Sequence, residues 1–149
     1  MKLRRIVVAL VLALALAYTG IVLANNRIAG ELESRLKGFP LPPGATLLDS
    51  LSIAGKTQGN GNGMQYYGAI LIDSGLSEGV LRTHYSLLDT KKDDLVIARQ
   101  TGPELFGKSR FKGIAPGEEH WLVMLARYCV SGAEETLREE ILDMDIRGH

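Results

Sequence analysis

Cys129 is the only cysteine among 149 residues, which excludes an intramolecular disulfide and a cysteine-built zinc site. It lies in the apolar run Leu122 to Val130 with no neighbouring base to activate a thiolate, so it reads as a buried, inert thiol. Charge of one sign is missing as well: 17 basic side chains face 17 acidic ones. Setting aside Lys2, Arg4 and Arg5, which precede the first apolar run, leaves 14 basic against 17 acidic. That balance exerts no general pull on nucleic acid, and no nucleic-acid partner is expected. No Gly-x-Ser-x-Gly elbow is present, so serine hydrolysis has no support. Gly55-Lys56-Thr57 looks like the end of a phosphate-binding loop, but Ser50 stands where that loop needs its first glycine. A hairpin rather than a helix is expected to follow it. No cofactor is implied.

Charge is also absent from Ile6 to Ala24, a run of 19 residues that is almost wholly aliphatic up to Ala17. As a helix it would be about 28 Å long, close to the hydrocarbon thickness of a bilayer. The basic cluster in front of it predicts a single-pass anchor in the cell membrane, with the N-terminus cytoplasmic and the remainder extracytoplasmic. The alternative is a signal peptide, since Ala15-Leu16-Ala17 and Val22-Leu23-Ala24 offer cleavage-type spacing, and the product would then be secreted. No cysteine follows the run, which excludes a lipoprotein anchor.

Residues 25–37 keep a helical period, with Ile28, Leu32 and Leu36 four apart among charged neighbours, as in a stalk leaving the membrane. Pro40, Pro42 and Pro43 should stop it. The expected division is therefore an anchor over 1–24, a juxtamembrane helix and Pro-rich linker over 25–43, and an extracytoplasmic domain over 44–149.

Within that domain Ala45 to Ala54 carries a loose strand alternation, Asn60-Gly61 and Asn62-Gly63 favour a tight hairpin bend, and Met64 to Asp73 is the most strand-like segment. Leu76-Ser77-Glu78 starts a helix running to Leu88 or Asp89, with Ser77 able to cap it and Leu76 able to staple onto Leu81. Leu95 to Ala98 and His120 to Val130 read as strands, separated by a loop from Thr101 to Glu119 that is rich in glycine and proline. A last helix is expected from Ala133 to about Asp143. The fold class is α+β: a transmembrane helix, then a small antiparallel sheet with helices on one face, in the order ββαββα.

Leu41-Pro42-Pro43-Gly44, the stretch from Gly59 to Ile72 and the terminus Asp145-Ile146-Arg147-Gly148-His149, together with the leading anchor, resemble a group of small bacterial membrane-anchored proteins with an exported α+β domain. The resemblance implies that architecture. It implies no reaction, ligand or catalytic residue.

Two groups of side chains are candidates for chemistry. Lys108, Arg110 and Lys112 lie within five residues, with Phe111 among them and glycines on both sides. Such a loop suits an anionic head group, an envelope polymer or an acidic protein partner. The bland reading is a solubilising loop with its phenylalanines tucked into the core. No metal is the leading expectation; the alternative set is His120, Glu118, Glu119 and His149, whose imidazoles and carboxylates suit a divalent ion if the loop and the C-terminus meet. His84 falls on the helix face toward the sheet and reads as a core imidazole bonded to backbone. The expected function is a membrane-anchored binding domain rather than an enzyme. Its alternatives are a metal-assisted envelope enzyme and a structural subunit of a membrane complex.

Overall fold

The computed structural model describes residues 2–55, 63–106 and 109–128. Helix α1, Lys2–Gly38, contains 37 residues and is about 55 Å long. From Leu3 onward it is long and apolar enough to cross a membrane. Its first part exposes leucine, valine and isoleucine all round, Leu3, Leu10, Leu14 and Leu16 among them. The hydroxyl of Thr19 donates to the Ala15 carbonyl at 2.8 Å, so the one threonine of the run is satisfied within the helix.

The environment changes at Asn25, which is buried, as are Ala29, Leu32 and Leu36. The stripe read from the periodicity therefore faces this chain's own sheet. The helix ends with the Phe39 amide bonded to the Arg35 carbonyl. A turn follows in which the Ala45 amide reaches the Pro42 carbonyl at 3.0 Å. Pro43 and Gly44 are its central residues, and Gly44 takes the positive φ of 75° that a type II turn requires. The chain is thereby sent back along the helix as strand β1, Thr46–Gly55.

Strand β2, Gln65–Asp73, pairs antiparallel with β1 from Gly55↔Gln65 to Thr46↔Asp73, with a bulge between Leu47 and Asp49. This is the expected hairpin; Asn60-Gly61 and Asn62, in its bend, lie outside the described residues. Helix α2, Glu78–Tyr85, runs into a 3₁₀ turn, Ser86–Leu88. Ser77 occupies the N-cap without a side-chain cap bond, and its carbonyl accepts from the Leu81 amide. Strand β3 is Asp94–Thr101, and β6 is Glu119–Tyr128. Between them β4, Glu104–Leu105, and β5, Ser109–Arg110, make a small separate hairpin.

The main sheet has the order β1-β2-β6-β3, antiparallel throughout. The two central strands bury both faces, as a covered sheet demands. On one face Tyr66, Ile70, Ile72, Trp121, Val123 and Leu125 pack with residues of α1 and α2. On the other, Tyr67, Ala69, Leu71, Leu122, Met124 and Ala126 pack with Leu105 and Phe111.

The fold is α+β as expected, but the order ββαββα is corrected. Over the described residues it is α1-β1-β2-α2-β3-β4-β5-β6. The extra hairpin has a physical cause: the loop after β3 lies over an apolar sheet face, where backbone amides and carbonyls need partners, and β4 and β5 supply them to each other. The helix expected from Ala133 to Asp143 lies outside the described residues.

Candidate functional site

The most specific contacts join α1 to the sheet. A Cβ placed on Gly68 would lie 2.1 Å from the Glu33 backbone nitrogen and 2.4 Å from the Leu32 carbonyl carbon. Only a residue with no side chain lets helix and strand backbones approach so closely. Beside this contact Ser50 donates to a Glu33 carboxylate oxygen at 2.6 Å. Toward the apolar run, the Tyr66 hydroxyl donates to Asn25 Oδ1 at 2.9 Å in a buried setting. Asn25 meets the start of β2, whereas Glu33 meets Ser50, which pairs with Ile70 farther along. Helix α1 and strand β2 therefore advance in the same sense, with the hairpin end nearest the apolar run.

Across the sheet, Asp93 collects two guanidinium groups. Arg127 of β6 donates from Nε at 2.6 Å and from Nη2 at 3.0 Å, and Arg35 of α1 adds a short ion pair. The Asp93 side chain is only 3% exposed. Burial alone would raise its pKa, but hydrogen bonds and charge from Arg127 and Arg35 outweigh that and hold the carboxyl below its ordinary value. Asp93 thus fastens the end of α1 to β6 through the turn before β3. At the far end of α1, Phe39 packs against His84 and Tyr85. His84 is half-buried, and its Nε2 donates to the Pro40 carbonyl at 2.7 Å, a backbone bond of the kind expected for it. Burial pushes the Tyr85 hydroxyl up to about 12.

The basic loop is laid over the second sheet face. Phe111 is 2% exposed and belongs to that face's core with Leu105. Arg110 is exposed and pairs with Glu104 across the β4–β5 hairpin. Lys112 is exposed, while its backbone amide donates to the Asp49 carboxylate. Lys108 lies outside the described residues. The structure thus puts Arg110 and Lys112 on one surface segment and the Phe111 ring beneath it.

Of the alternative metal set, Glu118 and His120 approach within 3.6 Å, Glu119 is exposed at the start of β6, and His149 lies outside the described residues. No three His, Cys, Asp or Glu side chains converge among the described residues.

Gly68, Asn25 and Asp93 are structural joints not singled out from the sequence. Each had a signal: a glycine in the middle of a strong strand, an amide just past an apolar run, and an arginine, Arg127, interrupting an otherwise apolar strand and requiring a partner. No protein-family model, curated protein or solved structure matches the chain.

Proposed function

We propose that the protein is a single-pass membrane protein that holds a small α+β interaction domain outside the cytoplasm, with Lys108, Arg110 and Lys112 facing an anionic envelope component. One observation carries the reading. Helix α1 is apolar from Ile6 to Ala24 and exposed as far as Gly20, then buries one side in the sheet from Asn25 without interruption. A helix so divided ties a folded domain to a bilayer without a flexible linker. The loop supports the binding role, because Leu105 and Phe111 anchor it while Arg110 and Lys112 project. Charges held in place lose less entropy when a partner arrives.

Two measurements test the reading. Alkaline phosphatase fused after His149 should be active, as it is only when exported; an inactive fusion, with activity instead from a cytosolic reporter, would reverse the orientation. Full-length protein in zwitterionic nanodiscs should be retained on immobilised heparin at low salt and released as salt rises. Changing Lys108, Arg110 and Lys112 together to Ser should abolish retention, and unaltered retention would remove the loop from the proposal.

A further inference from the structure

The end of the sheet nearest the exit of α1 carries a group of aromatic rings. The Tyr67 ring lies 4.7 Å from that of Phe106 and 6.2 Å from that of Tyr128. Its hydroxyl donates to Gln65 Oε1 at 3.2 Å, so the ring leans toward the start of β2. Phe106 reaches this place from the loop that covers the second face, through a backbone φ of 48° that a phenylalanine rarely adopts. Tyr67 is buried, Phe106 is half-buried, and Tyr128 is 42% exposed.

The level of this cluster relative to the apolar run follows from two contacts. Tyr66 is bonded to Asn25, one residue past Ala24. Tyr128 pairs with Gln65, next to Tyr66. The exposed tyrosine therefore lies at the end of the sheet nearest the point where α1 leaves its apolar stretch, on the face opposite the helix. Tyrosine is favoured at that depth, because its ring prefers the acyl boundary and its hydroxyl the headgroups. Lys91, Lys92 and Asp94 are exposed at the same end, since Asp94 pairs with Ala126 level with Tyr67. With both signs of charge present, the contact needs no anionic lipid.

We infer that this aromatic end of the sheet rests on the headgroup layer of the bilayer that α1 crosses, with Tyr128 at the contact. The inference depends on α1 being a membrane anchor and goes beyond it, for an anchored domain could equally stand clear of the lipid. A domain seated in this way has a fixed orientation, with its Trp121 end directed away from the membrane.

The single tryptophan supplies the control. Trp121 pairs with Ile72 at the opposite end of β2, about 23 Å along β6 from Tyr128. Full-length protein is placed in phosphatidylcholine vesicles whose acyl chains are brominated near the headgroup. Wild-type emission should match that in ordinary vesicles, whereas the emission added by Tyr128→Trp should be lost. Gln65→Trp, on the adjoining strand, should lose its added emission too, so that a folding defect in one variant does not decide the matter. Added emission that survives in folded protein floating with the vesicles overturns the inference and leaves the anchor intact. Failure of wild-type protein to float with the vesicles overturns both.

Discussion

From Ile6 to Gly20, helix α1 turns mostly apolar side chains outward on every side, whereas from Asn25 it exposes charge on one side and buries Ala29, Leu32 and Leu36 on the other. Backbone geometry is shared; the partners differ. Among the described residues no protein surface covers the first part, and it is long and apolar enough to cross a membrane. The second part has a sheet, and is fixed there by a backbone contact at Gly68, a buried hydrogen bond at Asn25 and an ion pair at Arg35. A helix can therefore serve two solvents if the change of pattern falls where the domain begins.

The seating of α1 on the sheet is most sensitive at Gly68. Gly68→Ala would drive a methyl into the Glu33 backbone and lift α1 from β2. Stability should fall by about 4 kcal/mol or more, among the largest single-residue effects. Thermal melting of the nanodisc-held protein, followed by Trp121 emission, measures it; an unchanged melt would show that the helix does not seat on this strand.

Paired truncations then sharpen the contrast between the two parts. Leu32→Ala should cost about 3 kcal/mol, the usual loss for a buried leucine. Leu10→Ala, in the apolar stretch, should leave the domain's melt where it was. Equal effects from both would erase the distinction.

Asp93→Ala should cost about 2 kcal/mol, less than for a fully buried pair because Arg35 and Arg127 are about one-third exposed. The pH dependence has a definite sign. The folded carboxyl binds its proton more weakly than the unfolded one, so its contribution is complete above the ordinary carboxylate range near about 4 and is lost as pH falls through the depressed folded value. Acid titration of wild type and Asp93→Ala should therefore converge at low pH, and parallel curves would contradict the assignment. Tyr66→Phe is the mildest change. It removes one buried hydrogen bond and leaves Asn25 Oδ1 without that donor, for about 1 kcal/mol in a denaturant midpoint.

Much of the fold was legible because local chemistry and tertiary demand agree. Asn-Gly pairs between alternating segments marked the β1–β2 hairpin, and the apolar run from Trp121 to Ala126 marked a strand covered on both faces. Where they diverge, the sequence misleads. Arg99 and Gln100 do not look like strand residues, yet β3 extends through them because β6 offers paired backbone as far as Glu119. The Arg99 guanidinium then lies 3.8 Å over the Trp121 ring. The β4–β5 hairpin was invisible because two-residue strands have no period to read.

At the candidate loop, spacing alone grouped Arg110, Phe111 and Lys112, but a run of neighbours does not say which side chain turns inward. Burial of Phe111 against the sheet is a tertiary fact. In the same way, periodicity identified the stripe Ile28, Leu32 and Leu36 but not the surface it meets. Gly68 is the residue that carries that information, and its meaning appears only once the helix lies across it.

Continuity of α1 through the change of solvent is tested most directly by amide hydrogen exchange on the full-length protein in proteoliposomes, read residue by residue from Tyr18 to Leu36. Unbroken slow exchange through Ala24, Asn25 and Asn26 is the predicted result. Fast exchange confined to the residues just after Ala24, with protection on either side, would mean a flexible joint and would contradict the proposal of a domain carried rigidly on a membrane-crossing helix.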